Sequence, residues 1–282
     1  MARPITREDL QEFISLHFDR SEANIMTAET AVDPQDIGKP MYGSPLIRIA
    51  SADDALWEEF KKPEAIGSFY RAPKDWLPEA KSVISIFGPW SDHVVESNAK
   101  TKTYPGSAWI SSYAAGGALI KRLSVQLADW LNGQGYPSVA PAMSKDFRFV
   151  YEDGSQPDVP AGISYASNWS ERHAAFVCGQ GTFGLSRGII TERGMAGRFC
   201  SVVTELEFEP DERPYEGLYD YCIFCGRCAK NCPPQAIDME KGKDHPSCDA
   251  WLTEMKARNG VAGCCGKCQV NVPCSRKIPR AK

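Results

Sequence analysis

YCIFCGRCAKNCPPQAI, residues 221–237, spaces its thiols as Cys222-x2-Cys225-x2-Cys228-x3-Cys232-Pro233. Three cysteines at equal two-residue gaps wrap one iron–sulfur cubane, and the fourth, placed before a proline, reaches over to a second one. A zinc site asks instead for two separated pairs of ligands. The run therefore predicts a [4Fe–4S] cluster. Eleven cysteines occur in the 282 residues: none before Cys178, Cys178 and Cys200 alone, and the other nine between 222 and 274. Thiols at this density in a chain without an export signal point to metal rather than disulfides.

A two-cluster module of the bacterial ferredoxin kind needs four further ligands, and Cys248, Cys264, Cys265, Cys268 and Cys274 offer five. Cys265-x2-Cys268 has the tight spacing of a cubane corner. That assigns Cys222, Cys225, Cys228 and Cys274 to the first cluster, and Cys232, Cys248, Cys265 and Cys268 to the second, with Cys264 left over. The crossing of Cys232 and Cys274 follows the ferredoxin rule that the last cysteine of each run serves the other cluster. Five residues separate Cys268 from Cys274, and Pro273 precedes the last cysteine instead of following it, so Cys264 and Cys265 remain rivals for one position. Cys178 and Cys200, on apolar runs, read as small buried hydrophobes.

Upstream, the pattern mixes helix and strand. Thr6 and Asp9 form a capping box ahead of Leu10, Phe13, Ile14 and Phe18, and Ser51 to Asp54 repeats such a start before Leu56, Trp57 and Phe60. Ser82 to Phe87 reads as a buried strand stopped by Gly88-Pro89, and Phe147 to Tyr151 and Phe199 to Thr204 as two more, the former closed by Asp153-Gly154. From Ala114 to Leu131, apolar residues recur on one helical face until Asn132-Gly133. Residues 207–217 hold two prolines and five acids, a composition that forms neither core helix nor central strand. The boundary falls there: an α/β core over 1–210 and a cluster domain over 211–282.

The net charge of −4 conceals a basic end, because no acid follows Glu254 while Lys256, Arg258, Lys267, Arg276, Lys277, Arg280 and Lys282 do. An acidic electron carrier, a reduced ferredoxin or flavodoxin, is the partner this stretch suits. No apolar run is long enough for a membrane span, and a cytoplasmic location is expected. Gly179-x-Gly181-x-x-Gly184 matches a dinucleotide fingerprint, but Gly184, Gly188, Gly194 and Gly197 would each weaken the required helix by ~1 kcal/mol, so turns or a close backbone approach are the better reading. H-E-x-x-H, G-x-S-x-G and the Walker pattern are absent, which leaves hydrolase and NTPase chemistry without residues; Asp-x-His-x-x-Gly is absent too, so any corrinoid would lack that lower-ligand motif.

Several segments resemble the epoxyqueuosine reductases and reductive dehalogenases: EAKSVISIFGPW (79–90), ISSYAAGGALIKRLSVQLADWL (110–131), SERHAAFVCGQGTFGLSRGIITERG (170–194), RFCSVVTELEFEPDERP (198–214), the cysteine run, Cys248 and CGKCQ (265–269). The resemblance covers about 80–278. It implies an α+β fold, with a nitroreductase-like cobalamin-binding core followed by a small ferredoxin-like domain with two [4Fe–4S] clusters. It also implies a reductase whose clusters feed a cobalt centre, and places Glu171, Arg172, Gly179, Gly181, Gly184 and Arg187 beside the corrinoid. Tyr165, six before Glu171, falls where one branch keeps a proton-donating Asp, and the other branch uses a Tyr in that role. The missing helical repeats weigh against tRNA and toward a small-molecule substrate. A non-catalytic electron carrier or corrinoid-reactivating protein, or a flavin-binding iron–sulfur reductase, are the rival readings.

Overall fold

Ser82–Pro89 is buried at every residue and forms the middle of the protein's main sheet. The structure is a computed structural model and describes residues 3, 5–150, 165–261 and 263–280. In chain order it contains α1 (Arg7–His17), β1 (Leu46–Ser51), the single turns α2 (Leu56–Glu59) and α3 (Pro73–Trp76), β2 (Ser82–Pro89), α4 (Asp92–Ala99) and α5 (Ser107–Gly133). Then come β3 (Ser138–Val139), β4 (Phe149–Val150), β5 (Ala166–Ser167), α6 (Glu171–Val177), β6 (Gly181–Phe183), β7 (Ile189–Thr191) and β8 (Gly197–Thr204). The cysteine-rich end holds α7 (Arg227–Lys230), β9 (Ile237–Asp238), β10 (Gly242–Lys243) and α8 (His245–Asn259). The fold is mixed α/β.

The main sheet runs β1-β2-β8-β3, with every neighbouring pair antiparallel. Both faces are covered. Ile84, Ile86 and Val202 pack with Leu119, Leu123 and Leu127 of α5, whereas Val83 and Val203 pack with Ala174, Val177 and Cys178 at α6. An antiparallel sheet with one wet face would alternate apolar and polar residues; enclosure on both sides explains the unbroken run that marks β2 in the sequence.

Thr6 caps α1 as read, with Asp9 completing the box. Two starts move. Ser51 ends β1, and it is Asp54 Oδ1 that accepts from the Leu56 N–H at 3.0 Å, opening one turn. α5 begins at Ser107, seven residues ahead of the expected start, because Trp109 and Ile110 are already core. Of the strand expected over 147–151, Phe149–Val150 is found; Tyr151, Asp153 and Gly154 lie outside the described residues.

Residues 207–217 form neither helix nor strand. They run as a strap along the core: Asp211 takes two hydrogen bonds from the Arg7 guanidinium, at 2.8 and 2.5 Å, and one from the Ile49 N–H at 2.8 Å. Arg213 pairs with Asp54 at 2.9 Å. Among the described residues no helix is long and apolar enough to cross a membrane.

Candidate metal centre

Phe224 and Gly226 both adopt left-handed backbone conformations, with φ of 46° and 67°. This tight winding turns Cys222, Cys225 and Cys228 toward one hollow, which Cys274 closes from the far end of the chain. Ile190, Met195 and Val272 supply apolar wall, with Met195 Sδ 3.4 Å from Cys274 Sγ. Cys225 is the exposed member of the four. Burial pushes Cys274 up to about 12, and the neighbouring thiols Cys228, Cys222 and Cys225 add to the rise.

The second group forms the same way. Cys232 is raised by burial and by Cys248 and Cys265; Cys268 is pushed up to about 12 by burial, with further contributions from Cys265, Cys248 and Cys228. Cys248 and Cys265 thus neighbour both Cys232 and Cys268, and Cys228 is the first-group thiol nearest Cys268. Cys264 faces elsewhere. It is fully buried with Met255 and Ile110, and Asn259 Nδ2 points at its sulfur from 3.8 Å. The turn that separates it from Cys268 depends on Gly266, whose φ is 64° and whose absent Cβ would fall on the Trp109 ring.

The donor chemistry fits iron–sulfur clusters. Enclosed thiols raised this far stay protonated and neutral on their own, and the positive iron core is what draws the thiolate form out of them. Among the described residues no three His, Cys, Asp or Glu side chains are placed to hold a single ion. The first four thiols ring a hollow, as a cubane requires, whereas zinc draws four sulfurs to about 2.3 Å from one point.

Cys178 and Cys200 are buried thiols in the core, raised well above their ordinary value by burial; Cys178 Sγ donates to the Val83 carbonyl at 3.4 Å.

Tyr165, Arg172 and Arg187 lie around His245, the first residue of α8. The Tyr165 and His245 rings stack with centroids 4.6 Å apart and planes 4° from parallel. Burial lowers the His245 pKa, and the cations Lys243, Arg172 and Arg187 lower it further. Arg172 Nη1 donates to the Arg187 carbonyl at 2.9 Å, and Arg187 has a φ of 61°, which turns the chain there. His245 and Lys243 were missed in the sequence, since neither belongs to a motif.

Of the other residues the resemblance places beside a corrinoid, Glu171, Gly179 and Gly181 pack against the chain itself. Glu171 has its carboxyl inside, beside Ser201 and Trp169, and burial raises its pKa to about 7. A Cβ on Gly179 would meet the Glu212 carbonyl at 2.7 Å, and one on Gly181, where φ is 157°, would collide with the Ile190 carbonyl across the β6–β7 pair. Gly184 borders the first thiol hollow. Tyr165, Arg172 and Arg187 thus form one polar cluster around His245, while Gly179, Gly181 and Glu171 pack against other parts of the chain. The glycine motif follows α6 and opens the β6–β7 hairpin, the reverse of the strand-to-helix order a dinucleotide site needs.

Residues 218–238 match the 4Fe-4S binding domain. Over 68 residues, 24% of this chain, the sequence is 38% identical to tetrachloroethene reductive dehalogenases of Desulfitobacterium hafniense and Dehalobacter restrictus. That match spans 12% of those relatives' length. Among solved structures, an epoxyqueuosine reductase is similar over 84% of this chain and 63% of its own, with 20% identity and a TM-score of 0.49. A reductive dehalogenase is similar over 96% of this chain and 36% of its own, with 16% identity and a TM-score of 0.47. The chain resembles both enzyme groups.

Proposed function

We propose that this protein is an iron–sulfur oxidoreductase whose eight thiols hold two [4Fe–4S] clusters next to a cobalamin-binding face. The observation that carries the reading is the pairing of two four-thiol groups, Cys222, Cys225, Cys228 and Cys274 beside Cys232, Cys248, Cys265 and Cys268, adjoining at Cys228 and Cys268. When bound, the clusters supply one-electron transfer and the cobalamin supplies reductive chemistry at cobalt. The protein's own part is to gather the thiols into two groups, to orient the Tyr165 ring against His245, and to hold a proton on Tyr165 Oη for a small-molecule substrate. Arg172 and Arg187 are the cations that offset the phenolate left behind.

Anaerobically purified, cobalamin-supplemented protein should carry about eight iron atoms per chain and show corrinoid absorption after desalting. Four irons would end the two-cluster assignment. A cluster-only spectrum would favour the electron carrier, which the inward use of Gly179 and Gly181 already suits, and a flavin band would replace cobalamin outright. Tyr165→Phe should keep iron and corrinoid while losing most turnover, as when an interaction made only in the transition state is removed; normal turnover would dismiss Tyr165 as donor.

A further inference from the structure

Lys267 lies between two thiols of the second group, Cys265 and Cys268, and is 2% exposed. Its Nζ donates to four oxygens: the Asn98 carbonyl and Asn98 Oδ1, each at 2.8 Å, the Thr101 carbonyl at 2.8 Å and Thr101 Oγ1 at 2.6 Å. Asn98 is itself fully buried, and its Nδ2 donates to the Cys265 carbonyl at 3.1 Å. An ammonium has three N–H groups, so four acceptors satisfy its hydrogen bonding completely. They do nothing for its charge, because all four are neutral. A buried charge without an opposite partner costs several kcal/mol, and none of these partners is a carboxylate. The thiol that acts on Lys267 is Cys265, a member of the second group; with a cluster bound there, four thiolates would outweigh the positive iron–sulfide core, and each added electron would make the site more negative.

We propose that Lys267 is the fixed counter-charge of the second cluster, held by Asn98 and Thr101 so that it favours the reduced form and raises that cluster's potential above the one its thiols alone would give. The inference rests on the two-cluster reading. It also gives the joint between α4 and α5 a purpose: Asn98, in the last turn of α4, supplies two of the four oxygens.

The test is an anaerobic redox titration of the whole protein with dithionite, preceded by an iron determination. The wave lost in Cys265→Ser identifies the second cluster. Lys267→Met, which keeps length, and Lys267→Gln, which keeps hydrogen bonding, should each retain all the iron. Each should weaken one-electron reduction of the second cluster about tenfold, ~59 mV toward lower potential, with the first cluster's wave unmoved. Unchanged potentials in both variants would overturn the proposal. Loss of the second cluster from both would overturn it too, by showing that Lys267 holds the loop together instead of tuning it. Four irons in the wild type would instead defeat the two-cluster reading itself.

Discussion

Glu171 and His173 sit two residues apart at the start of α6 and respond to acid in opposite senses. Burial raises Glu171 from 4.5 to about 7, so its contribution is whole below pH 4.5 and is lost as pH rises to about 7. Burial lowers His173 from 6.5 to about 4, with Arg172 adding to it; here stability is lost as pH falls from 6.5 toward 4. Between pH 4.5 and 6.5 the two slopes oppose each other. Glu171→Gln removes one of them: its melting temperature should climb with pH across that window while the wild type stays flatter. At neutral pH the variant should be more stable by ~3 kcal/mol at most. Matching profiles for the two proteins would disprove it. The sequence marks Glu171 only as a landmark in a resembling segment, because its enclosure is made by Ser201 and Trp169, residues on β8 and ahead of α6 that no local pattern links to it.

At the level of elements, the choice between adjacent cysteines is set by α8 and the turn after it. Both thiols pack in the cluster around Met255, but Cys264 takes the Asn259 amide at its sulfur while Cys265 lies beside Cys248. Cys264→Ser should therefore retain about eight irons and Cys265→Ser about four, read by iron analysis; the reverse pattern would exchange the two assignments. Spacing alone leaves this open, since neighbouring residues before a left-handed Gly266 can face either way. Elements with a strong period were legible: α1 through its capping box, β2 through its apolar run, most of α5 through its stripe. The helix carrying Cys248 was not. α8 buries Met255 alone among its side chains, so its sequence has no stripe to read. The opening turns of α5 were hidden for the converse reason, being enclosed by parts of the chain far away in sequence.

For the molecule as a whole, the acidic total hides exposed cations beside the first thiol hollow. Arg276 is taken by Asp92 and Glu96. Lys277 and Arg280 are exposed, and Pro279 between them borders the hollow that holds Cys225. Complementary charge chiefly raises the encounter rate and is screened over ~8 Å at physiological salt. Reversing both charges should thus slow reduction by an acidic carrier at low salt and much less at high salt, measured by stopped flow; equal rates at both would exclude this face. The sheet order β1-β2-β8-β3 has one more consequence, in the order of synthesis. β2 must wait for β8, made more than a hundred residues later, and long-range pairing of this kind forms slowly. The nine clustered cysteines all follow Thr204, the last residue of β8. A chain leaving the ribosome therefore has every strand of its central sheet available before its first cluster thiol emerges, and iron is loaded onto a core that can already be closed.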